Sequence, residues 1–201
     1  AAAPVTRQVI VSDTGTPSIS LLGTSPLEHE QGTPYNDQGA FATDAIDGNI
    51  TIDIVVGGDV VNVNLPGSYT ISYDVNDSVG NPAPTVYRVV NVSDTTPPTL
   101  TLLGNANILH ELRAPYTEAG ATASDNINGN ITSSIAIGGS VNINSPGTYT
   151  ISFNVNDFSG NAAAPVSRVV QVADRTPPVI TLIGNSTINH EVGTIFVDPG
   201  A

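Results

Sequence analysis

The chain has 201 residues and a formal net charge of −13, with 18 acidic residues against five arginines, and it lacks cysteine, methionine, tryptophan and lysine. Disulfides, thiolate metal sites and thiol nucleophiles are thereby excluded, and a polyanion of this kind repels nucleic acid and anionic lipid. At 39% hydrophobic residues the chain can build modest cores, but no apolar run approaches the ~18 residues of a membrane helix, and "AAAPVTR" has neither the basic nor the apolar region of a signal peptide, so no membrane insertion is expected.

Taken from the N-terminus, the first recognisable element is "VSDTGTPSISLLG" (Val11 to Gly23), and it returns as "VSDTTPPTLTLLG" (Val92 to Gly104) and "VADRTPPVITLIG" (Val172 to Gly184). Asp13, Asp94 and Asp174 are equivalent, 81 and 80 residues apart. The odd residue falls between "GGDVVNVNLPG" (Gly57 to Gly67) and "GGSVNINSPG" (Gly138 to Gly147), where a loop absorbs it. "AAAPVTR" matches "AAAPVSR" (Ala162 to Arg168), and the closing "FVDPGA" matches "YTEAGA" (Tyr116 to Ala121). The expected organisation is the last strand of a preceding repeat at 1–13, full repeats at 14–94 and 95–174, and the first part of another at 175–201. The head and tail cannot close a module together, so the sequence reads as a window on a tandem array in a longer protein.

Within each repeat the strand signal is a period of two. "GSYTISYDVND" puts Tyr69, Ile71, Tyr73 and Val75 on one face, and the second copy does the same with Tyr149, Ile151, Phe153 and Val155. Pro66-Gly67 and Pro146-Gly147 lead into that strand, "DSVGN" and "DFSGN" lead out, and no stretch shows a helical stripe. The expectation is an all-β chain of tandem immunoglobulin-like antiparallel β-sandwiches. A module that is entered at one pole and left at the other needs an odd number of strands, so about seven are expected, two of them short and between Ile50 and Pro66. Pro97-Pro98 reads as a stiff junction strut.

The Asp-Thr-Pro-Pro junction, Gly-Ala-x-Ala-x-Asp, the Pro-Gly-x-Tyr-x-Ile strand and the Asp-x-x-Gly-Asn turn resemble the bacterial immunoglobulin-like repeat of surface and secreted proteins. That repeat is also seen in a pesticidal crystal toxin and is related to hyalin and polycystic-kidney-disease repeats. The resemblance covers the whole chain and implies an extracellular or cell-surface accessory module with no assigned catalysis.

In an immunoglobulin plan, "DAIDGN" (Asp44 to Asn49) and "DSVGN" (Asp77 to Asn81) lie at the pole where Asp13 arrives. "DNINGN" (Asp125 to Asn130) and "DFSGN" (Asp157 to Asn161) lie where Asp94 arrives. Candidate calcium ligands at these joints are Asp13, Asp44, Asp47, Asn49 and Asp77, then Asp94, Asp125, Asn128, Asn130 and Asp157, because a hard cation needs several oxygens to converge. Asn128 stands where the first copy has Asp47, so the second site is expected to be the weaker. The other reading stays open: Asp and Asn before Gly are ordinary turn residues, and neither loop fits an EF-hand.

Two more polar groups recur. His29-Glu30, His110-Glu111 and His190-Glu191 suit a metal site or an acid–base pair, but a histidine in phase with apolar neighbours is more often a satisfied half-buried residue. Arg7, Arg88 and Arg168, in phase with valines, read as snorkelling arginines paired to carboxylates. Enzymatic function is not expected, because every polar cluster is repeated as scaffold is, whereas a catalytic site is a unique constellation.

Two functions from different classes follow. One is a structural segment of an extracellular stalk, filament or adhesin, rigidified by calcium, whose partners are neighbouring repeats of the same polypeptide and in which each module adds on the order of 40 Å. The other is an accessory module of a secreted hydrolase or toxin that binds a surface glycan or a host protein. Differences between the copies bear on the second: Arg113 against Gly32, Phe158 against Val79, and Tyr87 against Ser167.

Overall fold

The computed structural model describes residues 2–200. The chain forms two compact units, Ala1–Thr99 with Ala123–Ser134 and Val155–Ala163, and Leu100–Thr122 with Ile135–Asn154 and Ala164–Ala201.

The first repeat has seven strands: β1 (Ser18–Leu21), β2 (Leu27–Glu30), β3 (Ala40–Asp44), β4 (Gly48–Asn49), β5 (Val55–Gly58), β6 (Gly67–Asp74) and β7 (Val86–Ser93). One sheet has the order β1-β3-β4 and the other β2-β7-β6-β5. Alternation in β6 works as the pattern requires, with Ile71 and Tyr73, and Val75 just past its end, buried and their neighbours more exposed. Register then sets Tyr69 opposite Val90, Ile71 opposite Arg88 and Tyr73 opposite Val86. Ile71, Tyr73, Val90 and Val92 pack with Ala40, Ile19, Leu21 and Tyr35 into one core cluster, and Ala42, Ile50, Val75 and Ala83 form another. Each fully buried large apolar side chain contributes about 1.5–3 kcal/mol, so these few positions carry much of the sandwich.

The second repeat has β8 (Thr99–Leu102), β9 (Asn107–Glu111), β10 (Ala121–Asp125), β11 (Gly129–Asn130), β12 (Ala136–Gly138), β13 (Gly147–Asn154) and β14 (Val166–Ala173). Its sheet orders are β11-β10-β8 and β12-β13-β14-β9. Ala121, Ile151 and Phe153 form one core cluster, surrounded by Leu100, Leu102, Tyr116, Ile135, Val141 and Val166, and Ala123, Ile131, Val155, Val170 and Val172 are buried as well.

Two expectations about these sandwiches need correction. Pairing is not wholly antiparallel, because β2 runs parallel to β7 and β9 parallel to β14. The first apolar run of each repeat breaks after "LLG", and its second half crosses to the opposite sheet, where it lies beside the last strand. Only one of the two short strands expected between Ile50 and Pro66 forms, namely β5, preceded by a 3₁₀ turn at Thr51–Asp53. "DVVNV" stays out of the sheet. Gly58 bends away at φ +83°, and a Cβ there would meet the Thr70 carbonyl oxygen at 2.3 Å. Asn62 then accepts the Asn64 N–H at 3.1 Å and closes a local turn.

Residues 2–17 and 174–200 carry no strand. Pro17 and its counterpart Pro98 are buried. In "TPP" only Pro97 is therefore exposed as a strut residue, while Pro98 packs inside.

Candidate metal centre

The β3–β4 hairpin and the β6–β7 loop deliver the acidic cluster of the first repeat. Asp44 ends β3, and its Oδ1 accepts the N–H groups of Ile46 at 2.7 Å and Asp47 at 3.1 Å, which shapes the hairpin. These donors hold its carboxyl below the usual carboxylate range. Asp77 Oδ1 accepts from Val79 at 3.0 Å and Asn81 at 2.7 Å, and Oδ2 accepts from Asn81 Nδ2. Burial pushes the Asp77 carboxyl up, but hydrogen bonds from Asn81, Val79 and Gly80 outweigh it and the net shift is downward. Asn81 Nδ2 also reaches the backbone carbonyl of Asp13 at 3.3 Å. Carboxylate oxygens of Asp13, Asp44 and Asp77 thus lie within 4.8 Å of one another.

The same architecture recurs in the segments that accompany Asp94 in the first unit. Asp125 Oδ1 accepts from Ile127 at 2.8 Å and Asn128 at 2.7 Å. Asp157 accepts the Asn161 N–H and Nδ2, each at 2.7 Å, and Asn161 Nδ2 reaches the Asp94 carbonyl at 3.1 Å. Asp94 accepts from Thr96 N at 3.3 Å and from the Ser159 hydroxyl at 3.0 Å. Oxygens of Asp94, Asp125 and Asp157 again lie within 4.8 Å of one another.

Six of the ten candidate ligands therefore meet in two triads. The other four are engaged elsewhere. Asp47 receives the Ser78 N–H at 2.8 Å and hydroxyl at 2.9 Å, and Asn128 receives the Phe158 N–H at 2.9 Å. Asn49 and Asn130 hold the N–H groups of Thr51 and Thr132, each at 3.0 Å. Asp47 and Asn128 tie one loop to the next, so the exchange between them leaves the charge of each triad unchanged. Their shared role also corrects the alignment of copies: Phe158 stands with Ser78, and Val79 with Ser159.

The repeated histidines have structural partners. Nε2 donates to the carbonyls of Thr33 (3.0 Å), Ala114 (3.0 Å) and Thr194 (3.2 Å), and each ring meets the edge or face of Tyr35, Tyr116 or Phe196. Their glutamates were not singled out for this task in the sequence, yet they clasp the exit of the repeat. Glu30 accepts from Thr95 N at 3.0 Å and from the hydroxyls of Thr95 and Thr96, and Glu111 accepts from Arg175 N at 3.1 Å. The Thr95 hydroxyl is the main reason that the Glu30 carboxyl sits below its ordinary value.

Arg88 and Arg168 pair with carboxylates but do not snorkel. The guanidinium of Arg88 is fully buried, 3.0 Å from Asp37, and donates to the carbonyls of Thr24, Leu22 and Gly39. Arg168 lies 3.1 Å from Glu118 and donates to the Leu103 and Gly120 carbonyls. Charge-neutralised by a carboxylate and donating to fixed carbonyls, such a guanidinium can lie inside a sandwich. No helix among the described residues is long and apolar enough to cross a membrane.

Comparison with known proteins places this architecture. The sequence is 29% identical to hyalin of Strongylocentrotus purpuratus over 94% of the chain and 16% of hyalin. It is 30% identical to pesticidal crystal protein Cry22Aa of Bacillus thuringiensis over 61% of the chain and 17% of that protein. It is 27% identical to internalin I of Listeria monocytogenes over 66% of the chain and 7% of that protein. The chain thus spans less than a fifth of the length of these relatives. Residues 19–92 and 100–172 each match the family described as "Bacterial surface protein, Ig-like domain", and the chain belongs to that family.

Proposed function

We propose that the chain is an extracellular, non-catalytic spacer: Ig-like repeats, with boundaries near 14–94 and 95–174, that display another part of the polypeptide away from a surface. The observation that carries this reading is the duplication of the repeated arginines and histidines together with their structural partners. Arg88 and Arg168 each bind a carboxylate and backbone carbonyls, and His29 and His110 each bind a carbonyl and meet a tyrosine ring edge to face. A catalytic group needs an unspent functional atom facing substrate, whereas these are spent on the fold. Membership in a family of bacterial surface proteins supports the location, and neighbouring repeats of the same polypeptide are the natural partners.

Small-angle scattering on chains with two and four repeats tests the spacer. An eight-residue strand such as β6 spans about 26 Å, so with its loops each repeat adds on the order of 40 Å to the maximum dimension. A maximum dimension that fails to grow with repeat number contradicts the reading.

One observation favours a binding module as the second reading. Phe158 is 77% exposed and Tyr87 56% exposed, where the other copy has Ser78 and Ser167. Exposed aromatics peculiar to one copy are what a surface glycan or a protein partner would use. Saturable binding on a glycan array, lost in Phe158→Ala or Tyr87→Ala, would put this reading first.

A further inference from the structure

One atom of the second triad has no partner in the fold. Asp94 and Asp157 are each 6% exposed. Asp125 as a residue is half-buried, but its Oδ2 is buried and receives no hydrogen bond. It is the one carboxylate oxygen in this condition among the described residues. A buried carboxylate oxygen without a donor is costly, and buried charges are ordinarily paired or bound to a metal.

No side chain supplies the missing positive charge. The chain has no lysine, and the ion pairs among the described residues are Arg88 with Asp37 and Arg168 with Glu118, both inside the sandwiches. The donors around the Asp125 carboxylate are all spent on Oδ1, and those around Asp157 come from Asn161. What remains is a set of anionic oxygens, without histidine or sulfur, facing one another within 4.8 Å.

We propose that Asp94, Asp125 and Asp157 bind a calcium ion through Asp125 Oδ2. An all-oxygen donor set selects a hard cation over zinc or copper. Three carboxylates with variable denticity, completed by water, suit calcium better than the strict octahedron of magnesium. The exchange of Asp47 for Asn128 does not alter the ligands, because those residues are occupied by loop N–H groups. The buried triad exchanges an unmet oxygen for a ligand bond. The ion fastens Asp94 to the loops at 125–130 and 157–161, and the proposal stands or falls independently of the spacer reading.

Calorimetric titration of calcium chloride into the chelator-stripped full chain, with thermal melts and far-ultraviolet circular dichroism, is the test. The expected result is a calcium site with a Kd on the order of 10⁻⁴ M, in the range of extracellular calcium modules. Asp125→Asn weakens that site at least tenfold and removes the calcium-dependent rise in Tm, while Asp44→Asn leaves both in place. Magnesium at equal concentration competes weakly. If Asp125→Asn does not fold, Asp94→Asn carries the same requirement of a tenfold loss. Absence of calcium heat with identical Tm in millimolar calcium and in chelator overturns the proposal. Calcium binding of unchanged stoichiometry and Kd in Asp125→Asn, or an equal loss of this site in Asp44→Asn, overturns it as well.

Discussion

Tyr73 donates its hydroxyl to Asp37, 2.6 Å from Oδ2, deep in the first sandwich, and the same aspartate accepts from Arg88 and Tyr35. The second sandwich solves the problem differently: Phe153 has no hydroxyl, and the longer Glu118 reaches Arg168 and Tyr116 and accepts the Gly120 N–H. Tyr73→Phe should therefore destabilise the first repeat by about 1–2 kcal/mol, the scale of a hydrogen bond to a charged group whose acceptor keeps other donors. Urea denaturation measures it, and the double change Tyr73→Phe with Asp37→Glu should recover part of the loss.

The same networks set an alkaline limit. Burial first, and then the neighbouring Asp37 and Glu118 carboxylates, push the Tyr35 and Tyr116 hydroxyls from an ordinary 10.0 up to about 12. A group raised in the folded state contributes stability that is complete below its unfolded value and is lost as pH rises through the folded one. Tm should hold up to about pH 10 and fall between about 10 and 12, in step with late tyrosine absorbance at 295 nm. In Tyr35→Phe the fall should be shallower.

Glu30 works in the opposite sense. Its carboxyl is held below 4.5, first by the Thr95 hydroxyl, so the clasp on the exit segment is present above the ordinary glutamate value and is lost as pH falls through the depressed one. Proteolysis at Thr95–Pro97 should be slow at pH 7 and accelerate below about pH 4. Glu30→Ala should show the fast rate at every pH.

Arg113 occupies a left-handed conformation, φ 65°, at the position where the first repeat has Gly32 at φ 76°. Left-handed backbone costs an L-residue roughly 1–2 kcal/mol, and glycine returns about half of that as unfolded-state entropy. Arg113→Gly should stabilise the second repeat by about 0.5–1 kcal/mol in denaturant titration. Gly139→Ala should do the opposite and more strongly, because its Cβ would meet the Thr150 carbonyl oxygen at 2.2 Å as well as a positive φ.

Sequence alternation revealed β6 and β13, and repeat arithmetic brought the right loops to Asp13 and Asp94, because both depend on side chains at fixed spacing. The parallel contact of β2 with β7 was hidden, since two four-residue strands in one apolar run carry no sign of the sheet each will join. The depth of Arg88 was hidden too. Its partners are the carbonyls of Leu22, Thr24 and Gly39, which no side-chain pattern announces. Asp47 and Asn128 looked like ligands because an amide or carboxylate oxygen that caps a neighbouring loop has the same sequence signature as one that binds an ion.

Anomalous diffraction from a calcium-soaked crystal tests the second triad most directly. An anomalous peak bounded by Asp94, Asp125 and Asp157, with Asp125 Oδ2 at about 2.3–2.6 Å, is the predicted result. A well-ordered triad with no peak, or a donor found on Asp125 Oδ2 in its place, would contradict it.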